Sequence, residues 1–254
     1  PRRPARAFLP ETTPAAGKAI TRVGYFLGCS TNFLYPEIAR STVSVLSRLG
    51  CEVVLPGTLK CCGLPHLESG EVEAVGPMAF DNLAAFRRLG VDTVVSDCAS
   101  CSAAIRELQA QKSFGEIKIL DLSELLLGLL NSYGPGLKTV PKVVTYHDPC
   151  HLARVQGITL SPRELLRRTG AEYREMPGAG NCCGGGGTFA LYHYSTSMGI
   201  LNKKINSIRE TGAEIVATFC PACIMQLRHG LSKHQGNIQV VHLVQLLAQS
   251  LELV

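Results

Sequence analysis

Ten of the eleven cysteines fall into two sets of five that repeat in register along the chain. Cys29 and Cys150 lie 121 residues apart, as do Cys61 and Cys182, and Cys62 and Cys183. Cys98 and Cys220, like Cys101 and Cys223, are separated by 122. The halves therefore read C-x(31)-C-C-G-x(34)-C-x(2)-C and C-x(31)-C-C-G-x(35)-C-x(2)-C. Cysteines buried one at a time for packing have no reason to keep such a register, so the repeat points to a duplicated ligand set. Cys51 alone lacks a counterpart, and between Gly50 and a β-branched run it is expected in the core.

The flanking text repeats with the cysteines. VGYFLGC (23–29) answers VVTYHDPC (143–150), and RRLGVDTVVSDCASC (87–101) answers RETGAEIVATFCPAC (209–223). KILDLSELL (118–126) answers QVVHLVQLL (239–247). The chain reads as a tandem duplication, with domains over residues 20–134 and 140–254 joined by the turn-rich NSYGPGLKTVP. It opens on Pro1 rather than Met. Residues 1–19 are rich in Pro, Ala and Thr without periodicity, and are expected to be a linker from an upstream segment.

Each half alternates short β-branched runs with longer helical patterns. In the first, strands are expected at 23–27, 52–55, 93–96 and 117–120, and helices at 36–49, 72–89, 102–111 and 122–131. This order predicts an α/β fold: two tandem Rossmann-like domains, each a short parallel sheet flanked by helices. Cys29, Cys98 and Cys101 then fall just past the carboxyl ends of strands, the edge where open α/β sheets gather ligands. Both C-x(2)-C pairs open helices, where free N–H groups favour thiolate over thiol.

Composition narrows the chemistry. Charged residues make up 18% of the 254, with a net charge of +5 and no Lys/Arg run, which gives no support to nucleic-acid binding. The longest apolar stretch, 125–130, is far short of a membrane span, and no secretory signal is visible. The cysteines are thus expected as thiols or thiolates in a cytoplasmic protein, peripheral at the membrane only through a complex.

Five thiolates per half exceed the four that a structural zinc or a cubane cluster takes. An iron–sulfur cluster of larger or more open form fits the count better, and zinc is the alternative in either site. A thioredoxin-like pair at Cys98–Cys101 or Cys220–Cys223 would leave six cysteines unexplained. Gly63 and Gly184 allow the sharp turn that lets adjacent cysteines face one site. The run from Gly184 and Gly185 onward reads as backbone passing close to a cluster and offering N–H groups to its sulfurs. His147 and His151 flank Cys150 and are candidates to support or line the second site; His66 is a weaker candidate for the first. Nothing is assigned to His193, His229, His234 or His242.

The doubled motif resembles the cysteine-rich CCG domain family, which includes a subunit of heterodisulfide reductase and iron–sulfur subunits of glycolate, lactate and glycerol-3-phosphate oxidising systems. The resemblance covers residues 20–254. GNCCGGGGTFALYHYSTSMGILNKKINSIRETGAEIVATFCPACIMQL (180–227) and YHDPCHLAR (146–154) are similar to the glycolate/lactate type. The resemblance implies noncubane 4Fe-4S clusters, up to one per domain. Cys29, Cys61, Cys62, Cys98 and Cys101 would hold one; Cys150, Cys182, Cys183, Cys220 and Cys223 would hold the other. It also implies an electron-transfer subunit of an oxidoreductase, partnered with a flavoprotein dehydrogenase acting on a 2-hydroxy acid. A ferredoxin-like C-x(2)-C-x(2)-C-x(3)-C-P segment usually precedes such repeats and is missing here, so it is expected upstream or on another chain. The alternatives are a heterodisulfide-reductase-like thiol–disulfide reductase and a zinc-stabilised docking module without enzymatic activity.

Overall fold

The computed structural model describes residues 3–111, 117–233 and 237–253. The chain forms two compact units, one running to Gly136 and the other spanning Leu137–Glu252. In the first, a 3-10 turn at Ala5–Ala7 leads to β1 (Thr12–Thr13), β2 (Thr21–Tyr25), α1 (Cys29–Phe33), α2 (Pro36–Arg48) and β3 (Cys51–Val54). There follow α3 (Leu64–Glu68), α4 (Val72–Arg88), β4 (Thr93–Ser96), α5 (Ala99–Gln111), β5 (Lys118–Asp121) and α6 (Leu122–Tyr133). The second holds β6 (Val143–Tyr146), a π-helical turn at His151–Val155, α7 (Leu160–Arg168), β7 (Glu172–Tyr173) and α8 (Phe189–Tyr192). It ends with α9 (Tyr194–Glu210), β8 (Ile215–Thr218), α10 (Pro221–Ser232), β9 (Gln239–His242) and α11 (Leu243–Ser250).

The two sheets share one topology. The first runs β1-β3-β2-β4-β5 and the second β7-β6-β8-β9, all parallel except β1. The duplicated α/β architecture expected from the sequence is therefore present. Strands buried on both faces explain the β-branched runs: all four residues of Ile215–Thr218 are buried, and Val94 and Val95 are at most 1% exposed. In each sheet the chain leaves the first central strand to one side and returns on the other. β2 lies between β3 and β4, and β6 between β7 and β8, so a crevice opens past their carboxyl ends.

Residues 3–19, expected as a linker, are docked on the first unit. Thr12 and Thr13 pair antiparallel with Val54 and Val53, Ala5 is fully buried, and the Arg6 guanidinium donates to Pro56 O at 2.7 Å. Cys51 is buried at the head of β3, as expected, and burial alone raises its thiol to about 12. α6 and α11 open on equivalent capping boxes built from different residues. Asp121 Oδ1 accepts from Ser123 N at 2.9 Å, whereas His242 Nδ1 accepts from Val244 N at 3.3 Å.

Candidate metal centres

Each unit gathers its five repeated thiols at the crevice. Cys29 sits at the start of α1 past β2, Cys98 and Cys101 at the start of α5 past β4, and Cys61 and Cys62 on the loop between β3 and α3. The thiols neighbour one another in the order Cys29–Cys61–Cys62–Cys101–Cys98. The second unit repeats the order as Cys150–Cys182–Cys183–Cys223–Cys220. All ten are free thiols. One end of each chain is dry, with Cys62, Cys98 and Cys101 buried and Cys183, Cys220 and Cys223 likewise. The other end opens outward through exposed Cys29 and half-buried Cys61, and through half-buried Cys150 and Cys182.

Backbone turns make the adjacent pairs converge. Gly63 has φ +90° and Gly184 φ +85°, the left-handed region that glycine enters without strain. The turn directs backbone N–H groups back at sulfur: Gly184 N donates to Cys182 Sγ at 3.2 Å. Gly63 N–H points in the same way to Cys61, and Gly185 N–H to Cys183. Gly28 approaches so closely that a Cβ there would stand 3.1 Å from Cys101 Sγ.

Proton sharing in these chains raises the second thiol of each C-x(2)-C pair. Cys101 is pushed well up by hydrogen bonds to Cys62 and Cys98 and by burial. Cys223 rises in the same way through Cys183, Cys220 and burial. One thiol of each adjacent pair is held down. Cys62 falls to about 4 because Cys101 and Cys61 donate to it, and Cys182 to about 2 through Cys150, Cys183 and Gly184 N–H. At Cys101 and Cys223 the neighbouring sulfurs and burial decide the direction.

His147 lies deep in the second site, 1% exposed, with ligand atoms of His147, Cys183 and Cys223 all within 4.8 Å of one another. Neither ring nitrogen has a hydrogen bond, and burial lowers its pKa to about 3, so the ring is neutral. His151 is half-buried at the open end, its Nδ1 3.8 Å from Cys150 Sγ. His66 lies on α3, with a buried Nδ1 that has no hydrogen bond. His193 and His229 are exposed and stack on Phe189 and Tyr194, respectively; His234 lies outside the described residues.

Two residues that sequence reasoning missed hold the cysteine loops. In α4, Asn82 is 1% exposed; its Oδ1 accepts from Lys60 N at 2.7 Å and its Nδ2 donates to Cys61 O at 3.1 Å. At the equivalent place in α9 stands Lys204, 2% exposed, whose Nζ donates to Gly178 O at 2.7 Å and Ala179 O at 3.1 Å. Arg154 secures the same loop by donating to Gly180 O at 2.9 Å. A lysine within a polar helical pattern reads as a solvated face. Only the comparison of the halves, 82 against 204 at the 122-residue offset, would have exposed it.

Comparison with known proteins agrees with this arrangement. The cysteine-rich CCG domain matches twice, over residues 23–106 and 144–228, and the chain belongs to that family. It is 33% identical over 255 residues to the probable glycolate oxidase iron-sulfur subunit of Bacillus subtilis, covering 95% of this chain and 57% of that protein. It is 33% identical over 229 residues to one subunit of the fumarate reductase (CoM/CoB) of Methanothermobacter marburgensis, covering 89% and 46%. Lactate utilization protein A 1 of Bacillus mycoides is 31% identical over 238 residues, covering 89% and 96%. The chain thus spans about half the length of the first two. A crystal structure of a hypothetical protein from Helicobacter pylori shares the fold, with TM-score 0.69 and 12% identity, covering 94% of this chain and 51% of that one. Of these relatives, one is named as an iron–sulfur subunit and another as a subunit of a reductase. Among the described residues, no helix is long and apolar enough to cross a membrane.

Proposed function

We propose that the chain is the electron-transfer subunit of an oxidoreductase complex, each unit's five thiols holding a noncubane 4Fe-4S cluster. The observation that carries this reading is the unbroken five-sulfur chain, formed twice in the same order. The donor set fits the group: soft, crowded sulfurs without disulfides, approached by N–H donors, with a buried imidazole left unpartnered beside one set. Cys29, Cys61, Cys62, Cys98 and Cys101 would hold one cluster, and Cys150, Cys182, Cys183, Cys220 and Cys223 the other. Such clusters accept and release single electrons at potentials set by charge, N–H donors and burial. The chain's own part is to keep the inner sulfurs dry, to present the outer ones to a partner, and to aim Gly63, Gly184 and Gly185 N–H at the thiolates.

The partner in this reading is a flavoprotein oxidising a 2-hydroxy acid such as glycolate or lactate, in keeping with the names of two relatives. A ferredoxin-like segment, upstream or on another chain, completes the path, and the complex works in the cytoplasm or at its membrane face. Anaerobically isolated protein, mixed with such a flavoprotein and its 2-hydroxy acid, should lose its visible iron–sulfur absorbance within seconds. Absorbance unchanged over many minutes with an active flavoprotein would reject this partnership. Zinc is the second reading for the second site, because His147, Cys183 and Cys223 already offer three ligand atoms within 4.8 Å of each other.

A further inference from the structure

The two units place the same five sulfurs in different surroundings. His147 stands before Cys150 where Phe26 stands before Cys29, and both are at most 1% exposed. Lys204 occupies the position of Asn82, and both are buried against the loop that carries the adjacent cysteine pair. At the open end, Arg154 and His151 stand where the first unit has Phe33 and Ser30. The first unit in turn has Asp97 beside Cys98, fully buried and accepting from Tyr25 Oη at 2.6 Å and Thr31 Oγ1 at 3.1 Å. Phe219 replaces it in the second unit, stacked edge-on at 5.0 Å against His242. Every one of these exchanges moves the second site toward positive charge or N–H donation, and the first toward neutral or acidic groups.

We propose that the two sites are set at different potentials, the second being the more readily reduced, with Lys204 and His147 as the residues that raise it. This rests on the iron–sulfur reading of both sites. Reduction adds an electron to an already anionic thiolate set, so a nearby cation or N–H donor favours the reduced form. The lysine acts from a buried position, where salt screens it little. Its neighbours fit that role. Burial lowers Lys204 to about 8, with Cys183, Asp148 and Cys182 acting in the opposite direction, and Asp148 is itself paired with Arg163 at 2.7 Å. Lys204 touches carbonyl oxygens rather than thiolate, so it is a positioning and tuning residue, while the five thiolates remain the ligands.

The test is an EPR-monitored redox titration of anaerobically isolated full chain, with iron counted in each sample. Wild type should show two clusters with distinct midpoints. Lys204→Gln should lower the higher midpoint by at least a tenfold change in the one-electron equilibrium, about 59 mV, and leave the lower one in place. Lys204→Arg should restore it. Asn82→Lys should raise the lower midpoint, and His147→Phe should lower the higher one. These variants keep the test decisive should Lys204→Gln lose iron. Two iron-loaded clusters titrating together, or unmoved midpoints in all the iron-loaded variants, would overturn the inference while leaving the iron–sulfur reading intact. Wild type without iron would overturn both.

Discussion

Cys183→Ser is expected to remove half of the bound iron and sulfide and leave the other half in place. Cys183 is the middle sulfur of its chain, between Cys182 and Cys223, and its sulfur lies within 4.8 Å of a His147 ring nitrogen. A serine oxygen is harder and would hold iron poorly where a soft sulfur is called for. Cys62 holds the same central place in the first unit, between Cys61 and Cys101, so Cys62→Ser should remove the complementary half. Each unit has its own sheet and its own five sulfurs, which is why the loss should stop at half. Cys51→Ala is the matched control: buried, outside either chain, it should cost about 1 kcal/mol of stability and no iron. Iron and sulfide assays on the three variants decide the matter, and full loading of Cys183→Ser would remove that residue from the ligand set.

Gly184→Ala carries the second large effect, because two penalties coincide there. The residue sits at φ +85°, and an added Cβ would stand 2.6 Å from Ser197 O, a backbone atom of α9. Neither the strain nor the clash can be relieved by turning a side chain. The expected loss is about 2–4 kcal/mol in denaturant unfolding, with loss of the second cluster as the Cys182–Cys183 turn shifts. Gly63→Ala at φ +90° meets Val75 Cγ1 at 2.6 Å, a buried β-branched side chain with little freedom to turn, and should be destabilising too. Gly185→Ala is milder: its Cβ would find Gln226 Cβ at 3.5 Å in ordinary contact, and its N–H would survive. It should fall within about 1 kcal/mol of wild type. Equal stability of the Gly184 and Gly185 variants would show that the turn is not what fixes the cysteine pair.

Much of this is legible in the sequence, for identifiable reasons. β4 falls where the run Thr93–Ser96 predicts it, since a doubly buried strand leaves an apolar, β-branched signature. The cysteine register locates the crevice because every repeated thiol follows a strand end or joins the loop facing it. Residues 3–19 mislead for the opposite reason. β1 is a two-residue edge strand, and the contacts around it are single groups such as Ala5 and Arg6, too few to leave a period. α1 and α3 are five residues each, shorter than helical periodicity can reveal. The rise at Cys101 and Cys223 is not legible in the sequence because it comes from neighbouring sulfurs that only the fold brings close. Lys204 and Asn82 stay hidden because each looks like surface until its carbonyl or amide partners are seen.

The most direct measurement is metal and sulfide analysis of anaerobically isolated protein, paired with one EPR spectrum of the reduced form. Two noncubane clusters require about eight iron and eight sulfide per chain, little zinc, and a paramagnetic signal that vanishes on oxidation or changes form. Protein that is folded and loaded with about two zinc, without iron or signal, would contradict the electron-transfer reading outright.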